Sequence, residues 1–398
     1  MTESVAVAAP ADIDQRRKEA YFTASQTQLI WARFRKNRTA MIASWALILM
    51  VLMGLFAPFL SPYDPNIAGR DKDYENGAPQ IPRFWDDNGF SARPFIYSSE
   101  RTRSMATNFR WVTVINKDKR RYVHLFVQGR QYSLIKIQLD LPGHAFDLDL
   151  KALTFTTHLF GVDEGQIHLF GTDASGKDIF GRTLHAVYTS LAVGTIGVLI
   201  SFVLALVIGG VAGYFGGWID SVIQMITDAI RTVPAIPLFM ALAAFIPDTW
   251  SSETRFFFIS CILGLIGWPT LARRVRTHLL TERSQEYVLA AQLCGASSGH
   301  IIRRHLLPSF TSYIIVDLMI SFPYMVRSET ALSFIGLGLK DPVNSLGALL
   351  QSVSKADVLL NYQWYFIPVI FFVALVLAFV FVGDGLRDAA DPYSSTRK

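Results

Sequence analysis

Charge is scarce in this 398-residue chain: 17% of its residues are Asp, Glu, Lys or Arg, against roughly 25% in ordinary globular proteins. Cysteine is scarcer. The two present, Cys261 and Cys294, fall in an apolar run and in a polar stretch. No disulfide is expected between them, and no C-x-x-C metal pattern exists. A nucleotide-binding loop is missing as well. Gly171 to Lys177 fits G-x-x-x-x-G-K, but Asp178 stands where Ser or Thr must reach Mg²⁺, and its charge would repel phosphate. Any ATP chemistry linked to this protein therefore belongs to another chain.

What replaces charge is apolar sequence. Hydrophobic residues make up 51% of the chain, and the mean hydropathy is +0.31. The excess is gathered in blocks near the ~20 residues needed to cross a bilayer. The formal net charge is +5, with arginines crowded beside the apolar blocks. That distribution reports membrane orientation and not nucleic-acid binding.

Six spans are expected, at about 39–60, 186–212, 219–245, 255–272, 309–332 and 362–382. The third is interrupted by Pro234 and Pro237. The first is too long for a signal-peptide core and reads as uncleaved. Arg33, Arg35, Lys36 and Arg38 precede it, which places the N-terminus in the cytoplasm. Six crossings then return the C-terminus to the same side. Arg273, Arg274, Arg276, Arg283, Arg303 and Arg304 fall on that side too, and the outer loop 247–254 carries no Lys or Arg. Small residues at Gly194, Gly197, Gly209 and Gly210 suit close helix packing in the second span.

The expected layout is a cytoplasmic segment 1–38, span 39–60, an external unit 61–186, a membrane core 187–383 containing a cytoplasmic loop 276–308, and a cytoplasmic tail 384–398. The external unit carries strand-like runs at 111–115, 122–127 and 134–139, with a turn at 116–119, and reads as a small antiparallel β unit. His158-Leu-Phe-Gly161-Val-Asp163 recurs as His168-Leu-Phe-Gly171-Thr-Asp173. The two copies read as similar turns, preferred over a metal site because both share a Leu-Phe-Gly packing core.

Charges inside apolar runs are costly, about 2.5–3.5 kcal/mol each at a helix centre, and face a partner or a water-filled path. Asp228, Arg231, Asp317, Arg327 and Glu329 are such residues. Asp228 and Arg231, at i and i+3, can pair on one helix face. Arg327 and Glu329, at i and i+2, cannot face each other. These five are the candidates for a translocation path.

The polar island Glu286 to Pro308 lies between two apolar runs. Glu286 to Cys294 reads as a helix with Gly295 as its terminator, and Ser297 or Ser298 as the cap of a second short helix through Leu306. Ala290 and Ala291, flanked by Tyr287 and Leu293, suit docking of a helix into a groove on a soluble partner.

This island resembles the EAA loop of binding-protein-dependent ABC importer permeases. Ala290-Ala291, Gly295 and Leu307-Pro308 fall where its pattern expects them, and Glu286 stands a few residues ahead of the two alanines. HLFGTDASGKDIFGR, AGYFGGWID, ETALSFIGLGL and GDGLRDAADP extend the likeness to the dipeptide/oligopeptide/nickel class, in its second permease subunit, as does RFRKNRTAMIASWALIL at the first span. The resemblance implies an all-α polytopic fold with six transmembrane helices, the type I importer permease fold, carrying a β-rich periplasmic insertion. It implies a homologous second permease subunit, two ABC ATPase subunits that bind ATP and Mg, a periplasmic substrate-binding protein and an inner-membrane location. It assigns Glu286, Tyr287, Ala290, Ala291, Gly295 and Pro308 to coupling with the ATPase. No covalent chemistry, no cofactor and no nucleic acid are expected for this chain. Peptides lead as cargo, with opines, oligosaccharides and nickel as alternatives. A gradient-driven secondary transporter is disfavoured by the lack of an evident repeat. The long stretch 66–166 departs from the shorter connection common in the class.

Overall fold

The computed structural model describes residues 26–67, 74–86, 89–103, 112–140, 147–247, 249–306, 308 and 311–391. Most of the expected N-terminal segment, residues 392–398 of the expected tail, and Trp111, Leu307 and Ser309 lie outside the described residues.

Helices dominate. α1 (Gln26–Phe34) leads into α2 (Arg38–Leu55), whose start is capped by the Asn37 side chain accepting from the Ala40 N–H. A short α3 (Ala57–Leu60) follows. α4 (Ile179–Phe215) runs for 37 residues. Asp178 caps it by accepting from the Gly181 N–H at 2.7 Å, which is a structural use of the residue that spoils the phosphate loop. Gly216, at φ 66°, is the sole break before α5 (Gly217–Thr232). α6 (Ala235–Ala243) and α7 (Ser252–Glu282) follow, the latter continuing well past the expected end of its span. α8 (Glu286–Leu293) and α9 (Ser298–Ile301) form the island. α10 (Thr311–Phe334), α11 (Leu346–Val353), α12 (Ala356–Asn361) and α13 (Ile367–Ala390) complete the chain.

Among the described residues, four helices are long and apolar enough to cross a membrane: α2, α4, α7, and α13 with the turn before it. The α5–α6 pair, bent by 84°, makes a fifth if its two helices are taken as one broken span. The bend has a plain cause. Pro234 cannot continue the hydrogen-bond ladder of α5, and it restricts Val233 before it to an extended conformation, ψ 129°. The fifth expected span, 309–332, corresponds to α10, 24 residues long, which is not among these spans, since Asp317, Arg327 and Glu329 dilute its apolar character.

α4 and α7 pack most closely. A methyl on Gly209 would sit 2.5 Å from the Ala272 carbonyl oxygen, and one on Gly213 would sit 2.8 Å from that of Arg276. Small residues here let two backbones touch, as in membrane helix pairs generally. Ser201 adds an interhelical bond, its hydroxyl donating to the Gly264 carbonyl at 2.7 Å. The core beside this seam gathers Val193, Val198, Ile259, Leu263, Met325 and Leu332.

The inserted unit is one antiparallel sheet in the order β1 (Arg83–Asp86), β2 (Gly89–Thr102), β3 (Val112–Asp140), β4 (Asp147–Val162). The turn expected at 116–119 is a bulge instead. Ser98 pairs with Asn116 while Tyr97 pairs with Arg120, so the intervening residues are looped out of an unbroken strand. A second irregularity, between Gln128 and Tyr132, joins the other two expected strands into the same β3. The sheet is fastened to the helices at one end. His158 sits 3.0 Å from the Pro58 carbonyl, Arg130 pairs with Asp64, and the Ile167 N–H donates to the Tyr63 hydroxyl at 2.9 Å. Burial pushes the Tyr63 phenol up to about 12.

Candidate partner-docking site

α8 is held to its own chain by one apolar anchor. Val288 is 0% exposed and packs with Val275, Leu279, Ile301 and Leu306. Burying one such side chain contributes about 1.5–3 kcal/mol. The rest of the helix faces outward: Glu286, Tyr287, Leu289 and Ala290 are exposed, and Leu293 is 90% exposed. Ala291 is half-buried against the anchor cluster. The Tyr287 hydroxyl donates to Glu282 Oε2 at 2.8 Å, tying α8 to the end of α7.

Gly295 closes the helix as the sequence pattern predicts. Its φ of +79° is a conformation that L side chains rarely adopt. The Gly295 N–H donates to Gln292 O at 2.9 Å and the Ala296 N–H to Ala291 O at 3.1 Å, the paired bonds of a Schellman terminus. A Cβ on Gly295 would meet nothing within 4 Å. Cys294 is the cap and not part of the helix. Ser297 stands at the start of α9, but its side chain makes no capping bond there. The expected single second helix is split: after Ile301 the chain winds as a π-turn over Ile302–Leu306. Pro308, exposed, follows.

The charges within the apolar runs are arranged differently from the local pairing expected. Asp228 does not pair with Arg231; it pairs with Arg273 of α7. Asp220 takes Arg276 in a two-pronged contact, one prong at 2.5 Å, and Asp317 takes Arg274. Three arginines on α7 thus hold α5 and α10 by long-range pairs. Their sequence signal was present in the like number of acids on neighbouring runs, but spacing within one helix cannot reveal it. Glu329 is 0% exposed and accepts from Ser333 Oγ at 2.7 Å and Ser190 Oγ at 3.3 Å. It knits α4 to α10 and does not line the cavity described next.

That cavity, of about 550 Å³, lies among α5, α6, α7, α10 and α13. Its walls are mainly aliphatic, from Ile230, Val233, Ile266, Val376 and Val380, with Pro234, Pro269 and Pro323 each contributing. Arg231, Arg274 and Arg327 line it, and no Asp or Glu does. The Arg327 guanidinium lies 5.7 Å from the centre of the Tyr324 ring. Asp317 and Arg274 border a second cavity with His278 and Tyr313. The structure therefore brings Arg231 and Arg327 together, and leaves Asp228, Asp317 and Glu329 elsewhere.

The two HLFG copies are not similar turns: His158–Gly161 is strand, near the end of β4, and only His168–Gly171 is loop, though both are packed. His168 Nδ1 lies 3.1 Å from Asp178, and His158 is held between the carbonyls of Pro58 and Arg130. Arg182 pairs with Asp173 and donates to Asn344 Oδ1 at 2.7 Å, while Lys177 pairs with Asp341. Among the described residues, no three His, Cys, Asp or Glu converge as metal ligands.

Residues 205–394 match the family described as binding-protein-dependent transport system inner membrane component. Residues 25–80 match the N-terminal TM domain of oligopeptide transport permease C. The chain is 29% identical to the dipeptide transport system permease protein DppC of Lactococcus lactis, over 96% of this chain and 95% of that one. It is 32% identical to a putative peptide permease protein of Brucella suis, over 66% of this chain and 82% of the relative. It is 33% identical to the oligopeptide transport system permease protein OppC of Mycobacterium tuberculosis, over 64% and 83%. A chain of the inward-facing MetNI methionine ABC transporter aligns with a TM-score of 0.42 at 18% identity, over 53% of this chain and 96% of that chain.

Proposed function

The chain belongs to the binding-protein-dependent transport system inner membrane component family, and we propose that it is the membrane permease subunit of an ATP-driven importer of peptides. The likeness to named peptide permeases over most of their length supports the cargo class. The observation that carries the mechanism is α8, with its outward face and 90% exposed Leu293 above a single buried anchor. An apolar side chain so placed is complementary to a groove on another protein.

In this reading two ABC ATPase subunits dock on α8 and on its counterpart in a second, homologous permease. They bind ATP and Mg; this chain binds neither. Glu286, Tyr287, Ala290, Ala291, Gly295 and Pro308 belong to the docking segment. Because α8 is tied to α7 through Tyr287–Glu282 and the Val288 cluster, a push on α8 is delivered to the end of α7. α7 in turn holds α5 and α10 through its arginine–aspartate pairs. Movement of the ATPases is thereby passed to the helices around the arginine-lined cavity.

The permease lies in the inner membrane, with both termini and the 276–308 loop cytoplasmic and the β unit periplasmic. A periplasmic binding protein delivers cargo, and the β unit contacts it or caps the outer mouth. The test is uptake of a labelled peptide by vesicles holding the full complex. Uptake should require ATP and the binding protein. Uptake that persists without ATP on an ion gradient would replace this reading with a secondary transporter.

A further inference from the structure

Three guanidinium groups without a lining carboxylate make an unusual wall for a cavity inside apolar helices. Arg274 is already matched by Asp317. Arg231 and Arg327 have no acidic partner among the described residues, and Arg327 is steadied only by the Tyr324 ring. Both are exposed in the isolated chain, and a charge left unmatched within an apolar run is kept where a ligand or a water-filled path uses it.

The backbone adds to the same sign. The 84° break between α5 and α6 sets the N-terminus of α6 at the cavity, through Pro234 and Ala235. The first N–H groups of a helix have no intrahelical acceptor and carry its positive dipole end. Two guanidinium groups and a helix N-terminus therefore converge on one volume with aliphatic walls. That is the complement of a small apolar molecule bearing one negative group.

We propose that this cavity binds the C-terminal carboxylate of a peptide in transit, with Arg231 and Arg327 as its ligands and the aliphatic walls receiving the adjacent side chain. This rests on the peptide-import reading and adds to it a point of recognition within the membrane, separate from that of the binding protein. Planar guanidinium groups match a carboxylate by paired N–H donation, which neutral amides accept far less strongly.

The test crosses two changes. Uptake of a peptide and of its C-terminal amide is measured in vesicles with the full complex, for wild type and for an R231Q/R327Q variant, with the same binding protein throughout. Any preference of the binding protein cancels in the ratio. The variant should slow the free acid about tenfold or more relative to the amide, the worth of one charge-assisted hydrogen bond. Continued uptake of the amide shows that the variant complex is assembled. Equal slowing of both, or of neither, overturns the proposal.

A second measurement does not need transport. The complex in nanodiscs of zwitterionic lipid is melted with acetyl-dialanine or its amide. A rise in melting temperature with the acid alone, lost in the variant, supports the site even if wild-type vesicles import no peptide, an outcome that would sink the import reading by itself. No difference between acid and amide overturns the site. A rise produced by phosphatidylglycerol and not by the acid assigns the cavity to a lipid headgroup and overturns the cargo proposal.

Discussion

The N–H of Ala296 reaches back over Gly295 to the carbonyl of Ala291, 3.1 Å away, and ends the exposed helix α8. The bond requires the left-handed backbone that Gly295 supplies at φ +79°. A side chain there meets open space, so its cost is conformational, about 1–2 kcal/mol for most residues and less for Asn. Gly295→Asn should retain ATPase attachment. Gly295→Leu should weaken it at least tenfold while the spans stay folded. Co-purification of the ATPase subunits, read beside the melting temperature of the permease, checks both. Full attachment and uptake with Gly295→Leu would remove this segment from the docking surface.

Val288 and Leu293 share one short helix and separate its two duties. Leu293→Glu should abolish ATP-dependent uptake with little change in melting temperature, since the side chain touches water in the isolated chain. Val288→Ala should do the reverse first. It removes part of a fully buried contact and should lower stability by about 1–2 kcal/mol, loosening α8 from α7. A melting temperature that falls more with Leu293→Glu than with Val288→Ala would contradict this division.

Much of that segment is legible in the sequence because its determinants are local. A helix, its glycine terminator and its exposed small residues follow from neighbours within a few positions. The apolar runs are legible for the same reason, as apolar length is itself the signal. The sites built from distant residues are not. Asp228 could pair with Arg231 on its own helix, but the fold offers Arg273 instead, and periodicity carries no information about that choice. The bulge at 116–119 looks like a turn because Asn-Lys-Asp-Lys is polar and turn-prone, yet the pairing of Ser98 and Tyr97 on the facing strand keeps β3 continuous. The arginine-lined cavity likewise depends on the bend at Pro234, which composition marks as an interruption without giving its direction.

Glu329 was a candidate for the translocation path, and its surroundings give it another duty. Its carboxyl collects hydroxyl donors from Ser333 and Ser190, and those same hydroxyls accept from the Leu339 and Leu346 N–H groups. Glu329→Ala would leave these buried groups short of a partner, a loss of about 1–3 kcal/mol. Glu329→Gln keeps an acceptor oxygen and should fold with a smaller loss. Thermal melting in detergent checks the order. Uptake lost in Glu329→Gln with melting unchanged would restore the transport role.

Arg182 is the last test, and it addresses the end of the bundle where the inserted unit joins the helices. Its guanidinium sits in a buried cluster, pairing with Asp173 and Asp341 and donating to Asn344, which in turn donates to Asn66 Oδ1 at 2.7 Å. Three separate loops meet at this one side chain. Arg182→Ala leaves Asp173 charged and enclosed, and breaking a buried pair in this way typically costs about 3–5 kcal/mol. Replacing both partners, as Arg182→Met with Asp173→Leu, removes the stranded charge and should recover part of the loss. The double variant should therefore melt above Arg182→Ala. If it melts below, the cluster stabilises the junction through its full hydrogen-bond network, with Asn344 and Asn66 contributing more than the ion pair itself.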